Sequence, residues 1–328
     1  MFAKERDQLK SHVARLEVEL GHLWEEVIPG VSEERDQLKS HVERLAVLET
    51  SVGQVPPGHF YSPVPDFDGV LEDSARIWPD PRPGLLVGID LNDDGQVALL
   101  GRLNLEPVRH RRFSEANPAF GVLDTRLYTG MLRDIRPRRV IEVGSGHSTA
   151  LLLDMVDETE GFSPAITCID PDPTVLQELL DGTDFDRITL LEQRVQDVDP
   201  VLFASLERGD VLFIDSTHVA KIGSDVNHLI LEIVPGLADG VVIHIHDIGY
   251  PFEYPRKWIE QGRAWNEAYL VRALLVDNSA LRVLLFASYL QEFHSELLGR
   301  RVFGHRSTSG GSLWLQCHRS GRVGKEGT

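Results

Sequence analysis

From about residue 119, short apolar runs alternate with segments whose apolar positions recur every three or four residues. The runs predict buried strands, and the segments between them predict amphipathic helices. In chain order, the apolar runs are RRVIEVG, AITCIDPD, RITLLEQRV, DVLFIDST, GVVIHIHDI, LRVLLFA and GSLWLQCH. This alternation predicts an α/β fold with a mostly parallel sheet between two layers of helices. No full crossover helix is expected between the last two runs, which predicts an antiparallel edge.

The first 50 residues follow a different pattern and contain a repeat. The segment ERDQLKSHVARL at 5–16 returns as ERDQLKSHVERL at 34–45, and Pro29 and Gly30 separate the two copies. In the first copy, steps of four and three between apolar residues form a heptad stripe, namely Leu9, Val13, Leu16, Leu20, Leu23 and Val27. Two interpretations are open: a coiled coil that joins subunits of a homo-oligomer, or a helical hairpin that folds back on the body.

Changes in composition predict the domain boundaries. Residues 1–50 form the helical heptad segment, and residues 51–118, rich in Pro and Gly at their start, are expected to form a cap or lid. The main domain is predicted over residues 119–319, followed by a flexible tail at 320–328. The turn from Asn92 to Gly95 has the acids of a calcium loop but lacks its distal glutamate, so it is interpreted as a surface turn.

Charge and composition exclude several classes of partner. The formal net charge of −18 argues against nucleic acid, because phosphates would be repelled. No apolar stretch approaches the roughly 20 residues of a membrane span, and the first residues lack the apolar core of a signal peptide. Cys168 and Cys317 lie in apolar runs and are predicted to be buried thiols, which suits a reducing cytoplasm.

The first predicted strand ends in an acid and a glycine turn, Glu142 to Gly146. Glycines let the backbone turn sharply and approach a ligand, and the following helix, for which Ser148 or Thr149 could be the cap, offers free N–H groups. A dinucleotide fingerprint would need a third glycine at Thr149, and a Walker loop would need Gly-Lys-Ser/Thr, which is also absent. Two glycines alone indicate a ligand only weakly.

The next two strand ends carry polar residues. Asp170 follows Gly144 by 26 residues, where an acid can bind both hydroxyls of a ribose; the alternative is a cap for the next helix. Gln196 and Asp197 follow the third strand and could meet an exocyclic amine such as that of adenine. Their alternative role is also a helix cap.

The fourth and fifth strand ends are rich in aspartate and histidine. We expect Asp215, Ser216, His218, His246 and Asp247 at the mouth of one crevice, where carboxylates and imidazoles can bind a divalent metal or take a proton from a substrate. His244 shares the face of His246 by strand alternation but lies deeper, and is interpreted as a satisfied buried histidine.

The segments VIEVGSGHST, CIDPDP, LFIDSTHV with GSDVN, and VVIHIHDIGYPFEYP with WNEAYLVRALL resemble class I S-adenosylmethionine-dependent methyltransferases, most closely the bacterial small-molecule methyltransferase family 24. The resemblance covers roughly Gly58 to His318. It implies a Rossmann-like, seven-stranded sheet with a reversed last strand. It also implies that the glycine turn lines the methionine part of the cofactor, that the acid after the second strand holds its ribose and that Gln196 or Asp197, after the third strand, flanks its adenine. The cofactor-binding residues predicted in this way are Glu142, Gly144, Ser145, Gly146, Ser148, Asp170, Gln196, Asp197 and Asp215.

The more distant catechol O-methyltransferases bind magnesium through two aspartates and a following asparagine at the fourth and fifth strand ends. Asp215 and Asp247 match the aspartates, but Ile248 stands where the asparagine would be and cannot bind a metal. A Mg²⁺ or Mn²⁺ site would therefore need His218 or His246 as a substitute ligand. Alternatively, His246 takes the proton directly as a general base.

The resulting prediction is a cytoplasmic methyltransferase that acts on a hydroxyl of a small molecule such as a sugar or polyketide. Its predicted catalytic residues are His246, Asp215 and His218. One rival is a nicotinamide-dependent oxidoreductase on the same sheet, against which the missing third glycine counts. The other is a non-catalytic oligomeric scaffold with a vestigial pocket, against which the intact acids at the strand ends count.

Overall fold

The computed structural model describes residues 2–20, 38–40, 55–80, 82, 84–117, 119–302 and 310–319. The chain divides into two compact units, Met1–Ser74 and Ala75–Thr328. The boundaries predicted at 50/51, 118/119 and 319/320 stay predictions.

The first unit begins with the helix Phe2–Leu20, which confirms a helix for the first repeat copy. Its apolar stripe at Leu9, Val13 and Leu16 is half-buried, while the described positions around it are exposed. In the second copy, residues 38–40 are helical. The remainder of that copy and the Pro-Gly break lie outside the described residues, so the coiled-coil and hairpin interpretations both stay predictions. The helix Phe67–Glu72 follows, and Ser74–Ile77 crosses into the second unit.

The second unit contains the predicted sheet. Its strands are β1 Arg139–Val143, β2 Ala165–Ile169, β3 Ile188–Leu191, β4 Val211–Ile214, β5 Val242–Ile245, β6 Leu281–Phe286 and β7 Leu313–Cys317. The order is β3-β2-β1-β4-β5-β7-β6, and β7 runs antiparallel to both of its neighbours. The α/β fold and the reversed last strand are therefore confirmed.

The predicted antiparallel edge is confirmed, because the last two strands, β6 and β7, pair antiparallel at one end of the sheet. Strand β7 lies between β5 and β6, and β6 forms the edge. Four of the five β7 residues are buried, whereas β6 carries the exposed Arg282, as suits an edge strand. Two short helices, Ala287–Phe293 and Ser295–Arg301, connect β6 to β7.

Helices cover both faces of the sheet, as expected for a mostly parallel sheet. The α-helices before β6 are Asp93–Arg102, Val122–Ile135, His147–Glu158, Thr174–Leu179, Gly182–Phe185, Val201–Ala204, Asp225–His228, Arg256–Glu260 and Glu267–Leu275. A π-helical turn, Leu229–Ile233, and 3₁₀ turns at Val195–Asp197 and Val234–Gly236 complete the described helical segments. Strands β4 and β5 are buried along their whole length.

Part of the predicted cap region is bound tightly to the main body. The carboxylate of Asp154 accepts backbone N–H bonds from Arg111, Arg112 and Phe113 at 3.0–3.2 Å. The buried Arg112 side chain also pairs with Asp154 at 2.9 Å and with Asp184 at 2.5 Å. Residues 111–113 are therefore fixed to the main body.

Two further sequence predictions concern burial and membranes. Cys168 and Cys317 are buried free thiols, as predicted. Among the described residues, none of the helices combines the length and the apolar character that a bilayer span requires.

Candidate active site

A cleft of about 740 Å³ opens at the carboxyl ends of β1, β2 and β4. The strand order reverses between β1 and β4, which is where open α/β sheets bind ligands. Its volume lies within the usual range for small-molecule and cofactor sites. Among the residues predicted from the sequence, the cleft is lined by Gly144, Ser145, Gly146, Ser148, Asp170, Gln196 and Asp215.

The glycine turn brings the ends of β1 and β4 into direct contact. Gly144 has φ +82°, and a Cβ at this position would lie 1.9 Å from the carbonyl oxygen of Asp215. Any side chain here would displace the backbone at the end of β4. The position therefore requires glycine on grounds of both conformation and space.

Asp170 holds the glycine turn in place from the end of β2. Its Oδ2 accepts bonds from the backbone N–H and the hydroxyl of Ser145 at 2.9 and 3.0 Å, and its Oδ1 accepts from the backbone N–H of Asp172 at 2.9 Å. The next helix has Pro173 at its N-cap, so the alternative role of Asp170 as a helix cap is wrong. Asp170 lies at the cleft wall, as the ribose interpretation requires.

Glu142 was predicted to line the cleft, and this expectation is wrong. Its side chain is fully buried beneath the turn, and its carboxylate accepts hydrogen bonds from the hydroxyls of Ser148 and Thr149. Thr149 Oγ1 in turn accepts the backbone N–H of Gly146 at 3.3 Å. Glu142 therefore supports the start of the His147–Glu158 helix from below. Burial raises the pKa of Glu142 to about 7, although the two hydroxyl donors oppose the shift.

Replacing Glu142 with Gln is expected to change how stability depends on pH. The Glu142 carboxyl has a pKa of about 7 in the folded protein, above its ordinary value of 4.5, so the folded state favours the protonated form. The resulting contribution to stability is fully present below pH 4.5 and is lost as the pH rises to 7. Relative to Glu142→Gln, the unfolding free energy of the wild type should fall by up to about 1.4 kcal/mol per pH unit in that window and then level off. Denaturant unfolding at several pH values measures this, with Glu192→Gln at an exposed position as control. A difference that does not change with pH would contradict the buried-carboxyl assignment.

Gln196 and Asp197 separate at the third strand end. Gln196 lines the cleft and donates from Nε2 to the carbonyl of Gly223 at 2.9 Å. Asp197 does not line the cleft and forms a two-pronged ion pair with Arg194 at 2.8 and 3.0 Å, so Gln196 is the better placed of the two residues, while contact with an adenine stays a prediction. The helix Val201–Ala204 has Pro200 at its N-cap, so neither residue caps it.

The acids and histidines after β4 and β5 come together as predicted. His218 Nε2 lies 3.5 Å from Asp215 Oδ1 and 3.6 Å from Asp247 Oδ2. His246 Nδ1 lies 3.6 Å from Asp215 Oδ2 and 3.5 Å from Asp247 Oδ1. We call these four residues the Asp–His cluster. Asp215 belongs both to the cluster and to the cleft wall, so the two features form one site.

Backbone conformation supports a functional role for the cluster. His218 and Asp247 both have positive φ, 59° and 58°, in the left-handed region that non-glycine residues seldom adopt. Such conformations persist where the surrounding structure holds them, and they concentrate at functional sites.

The electrostatics of the cluster favour added positive charge. Burial opposes protonation of both rings, yet Asp215 and Glu267 raise the pKa of His218 to about 10, and Asp247 and Asp215 raise the pKa of His246 well above its ordinary value. Burial also acts against ionisation of Asp215, but the histidines hold its pKa below the usual range. The carboxylates therefore stabilise cations at this point, whether protons or a metal ion.

Two carboxylates behind the histidines were missed from the sequence. Glu267 Oε2 lies 2.9 Å from His218 Nδ1, and Asp124 Oδ2 lies 3.8 Å from His246 Nε2. Both acids occur among the apolar positions of predicted helices. This pattern could have indicated a buried carboxylate, because an acid that faces the core needs a partner. Phe120, which stacks on His246 with ring centroids 4.9 Å apart, carried no signal in the sequence.

Two neighbours of the cluster have no ligand role. Ile248 is fully buried and donates its backbone N–H to the carbonyl of Gly311 at 2.9 Å, so the asparagine position stays without a donor side chain. His244 is buried as expected, but neither of its ring nitrogens has a hydrogen-bond partner among the described residues. The interpretation of His244 as a buried histidine with satisfied hydrogen bonds is therefore wrong. It is stacked between Trp314 and Phe213 instead, and burial lowers its pKa well below the ordinary value.

Comparison with known proteins identifies a related domain. A family model described as a methyltransferase domain matches residues 141–248. An uncharacterised protein from Archaeoglobus fulgidus is 31% identical over 173 residues, which cover 49% of this chain and 77% of that protein.

Similar solved structures include two at low identity. The apo structure of CmcI-N160 shares 18% identity, covering 62% of this chain and 72% of that chain with a TM-score of 0.39. The methyltransferase PaMTH1 from Podospora anserina, bound to SAH, shares 16% identity, covering 81% of this chain and 100% of that chain with a TM-score of 0.40.

Proposed function

The chain belongs to the class I methyltransferases, and from this premise we propose that it transfers the methyl group of S-adenosylmethionine to a hydroxyl of a small-molecule acceptor. The observation that carries the proposal is the position of Asp215, which lies at once in the wall of the cleft and in the Asp–His cluster. A cofactor in the cleft and a deprotonating centre beside it would thus meet at one residue.

The cleft residues fit S-adenosylmethionine, which supplies an activated methyl group on a sulfonium. The absence of side chains at Gly144 and Gly146 leaves backbone open to the methionine part. The Asp170 carboxylate, already oriented by Ser145, would bind the ribose hydroxyls. Gln196 at the far wall would flank the adenine.

The Asp–His cluster fits a divalent cation. His246 Nδ1 is buried and has no hydrogen-bond partner among the described residues, yet it faces Asp215 and Asp247 at 3.6 and 3.5 Å. These distances are too long for good hydrogen bonds but suit separate ligands of one ion. A mixed set of carboxylate oxygens and imidazole nitrogens favours manganese or zinc more than magnesium. A cation there would supply positive charge that favours loss of the acceptor's hydroxyl proton.

The residues around the cluster would orient the acceptor and exclude water. Phe120 lies in the cleft wall and covers the ring of His246, whose Nδ1 points to the two carboxylates. This geometry argues against His246 as the direct proton acceptor, because its ring is committed to the cluster. Alignment of acceptor and methyl donor within the cleft would supply several kcal/mol of the barrier reduction.

The two rival functions are less well supported. Thr149, at the place of a third dinucleotide glycine, is buried and bonded to Glu142, so the turn differs from the nicotinamide fingerprint at that point. A non-catalytic scaffold would have no need of two strained residues and four clustered ionisable groups beside the cleft.

Incubation with methyl-labelled S-adenosylmethionine and a metabolite extract from the source organism tests the function. We expect the label to move from the cofactor to a small-molecule fraction and to be stable there as an ether. Turnover of a nicotinamide cofactor with no transfer of label would contradict the proposal.

Replacing Asp170 with Ala is expected to weaken cofactor binding by about 1.5–3 kcal/mol, the scale of hydrogen bonds to a charged group. The loss combines the missing contacts to the ribose with release of Ser145. Calorimetric titration with S-adenosylhomocysteine measures it, and Asp172→Ala, on the adjacent exposed turn, is the matched control. Equal affinities for Asp170→Ala and Asp172→Ala would contradict the ribose assignment.

A further inference from the structure

The side chain of Arg263 lies in a corner between two tryptophan rings. Its Cζ is 5.0 Å from the ring centroid of Trp258 and 4.8 Å from that of Trp265. The two indoles are also in contact with each other, with centroids 5.0 Å apart and ring planes at 70°. A guanidinium that is held against aromatic rings by its face keeps the N–H groups at its edge available for a carboxylate or a phosphate.

The backbone fixes Arg263 in this corner. The helix Arg256–Glu260 carries Trp258 and is followed by a turn at Gly262, whose φ of +76° favours glycine. After the turn, the N–H of Arg263 donates to the carbonyl of Trp258 at 3.0 Å. The chain therefore folds back at this point and returns the cation to the indole that precedes it.

Trp265 connects this corner to the Asp–His cluster. Its ring lies against the ring of His218, with centroids 4.4 Å apart. The next residue, Asn266, donates its backbone N–H to the carbonyl of His218 at 3.0 Å, and its side chain bonds in both directions with the backbone of Ala220 at 2.5 and 3.2 Å. One indole therefore contacts both the cluster and the guanidinium, which places the cation within reach of an acceptor bound at the cluster.

The charge of Arg263 is not used elsewhere in the part of the chain that the structure describes. Its half-buried guanidinium has neither a carboxylate partner nor a hydrogen bond among those residues, whereas Arg112, Arg194 and Arg256 pair with carboxylates at 2.5–3.0 Å. The chain has 51 acidic residues against 33 lysines and arginines, so most arginines have carboxylates at hand. The cofactor does not account for this cation either, because neither Arg263 nor its two indoles are among the described residues that line the cofactor cleft.

We propose that Arg263 binds an anionic group, a carboxylate or a phosphate, of the molecule whose hydroxyl is methylated. The inference rests on the proposed function and names the chemical class of its acceptor, a hydroxylated small molecule with an acid group, such as a sugar acid or a sugar phosphate. The carboxylates of the Asp–His cluster would repel such an acceptor, and the guanidinium offsets this repulsion. Its fork of N–H donors suits two oxygens of either anionic group.

Anion exchange of the methylated products tests the acceptor class. The protein and methyl-labelled S-adenosylmethionine are incubated with a metabolite extract from the source organism, and the products are separated at neutral pH. We expect the label in a fraction that is retained as an anion. Loss of this retention after treatment with phosphodiesterase and phosphatase identifies a phosphate, and resistance to both enzymes identifies a carboxylate.

The outcomes separate this inference from the proposed function. Label in neutral products alone would overturn the anionic acceptor and leave methyl transfer intact. No transfer of label to any fraction would overturn the proposed function and this inference together.

Substitution of Arg263 tests whether this residue recognises the anion. Arg263→Met keeps an unbranched stem against the indoles and removes the charge. With the anionic fraction of the extract as acceptor, half-saturation should require at least about 10-fold more of that fraction, because a hydrogen bond to a charged group is lost. The affinity for S-adenosylhomocysteine should stay unchanged. Arg263→Lys keeps the charge without the fork of donors and should give an intermediate loss.

The matched control is Arg256→Met, which removes an exposed guanidinium from the helix that carries Trp258. It should saturate with the same amount of the anionic fraction as the wild type. Titration with S-adenosylhomocysteine shows whether each variant is folded. A folded Arg263→Met, or a folded Arg263→Lys if Arg263→Met does not fold, that saturates in the same way as Arg256→Met would overturn the role of Arg263.

Discussion

Replacing Asp215 or Asp247 with Ala is expected to remove divalent-metal binding and methyl transfer together. Each carboxylate lies within 3.5–3.6 Å of both cluster histidines, so the loss of either takes a ligand from the centre and removes one of the counter-charges of the buried imidazoles. Transfer of labelled methyl should fall by at least about 10²-fold, as when proton removal from an acceptor is lost. The control is Asp186→Ala, at an exposed position outside the cleft.

Chelation of the wild type should reproduce the effect of these substitutions. Activity should disappear in chelator and return on addition of Mn²⁺ or Mg²⁺, whereas neither ion should rescue Asp215→Ala. A chelated, metal-free protein that keeps full turnover, together with a loss of about 10²-fold or more in His246→Ala, would show that the metal assignment is wrong and that His246 is the base.

Replacing Gly144 with Ala is expected to remove cofactor binding and disturb the Asp–His cluster at the same time. The added Cβ would meet the carbonyl oxygen of Asp215 at 1.9 Å, and φ +82° is strained for alanine. Because the obstacle is backbone, either β1 or β4 must move at its carboxyl end. The affinity for S-adenosylhomocysteine should fall by at least about 100-fold, or about 2.8 kcal/mol.

Gly101→Ala is the matched control for this substitution. Gly101 lies in the helix Asp93–Arg102 with nothing within 4 Å of an added Cβ, so alanine should leave affinity unchanged and stability equal or slightly higher. A Gly144→Ala protein that binds cofactor and Mn²⁺ as the wild type does would contradict the close contact between the ends of β1 and β4.

The sequence predicted the strands and the antiparallel edge, but it did not indicate which strands the last strand lies between. Continuous apolar runs identify buried strands because side chains on both faces of a central strand are covered by helices. The insertion of β7 between β5 and β6 depends on which neighbours the strand meets after two short helices, and no local pattern encodes that choice.

In the candidate active site as well, local sequence patterns predicted some residues correctly and others wrongly. Gly144, Asp170 and Asp215 could be predicted because each directly follows a strand, and Asp247 because it lies two residues after β5, with all four strands ending at the same edge of the sheet. Glu142 was misassigned because its direction is set by the hydroxyls of the following helix.

Contacts between residues that are distant in sequence could not be predicted from the pattern of residues along the chain. Glu267 was missed because it contacts His218 across 49 residues of sequence, and a single sequence does not show such pairs. Asp124, which lies behind His246 in the same way, was missed for the same reason.

The central claim is that the cleft between β1 and β4 binds S-adenosylmethionine. Calorimetric titration of the intact, folded protein with S-adenosylmethionine and with S-adenosylhomocysteine tests it most directly. We predict one site with micromolar affinity for both compounds in the wild type and in Gly101→Ala, and no measurable binding in Gly144→Ala. Absence of binding by the folded wild-type protein would contradict the claim.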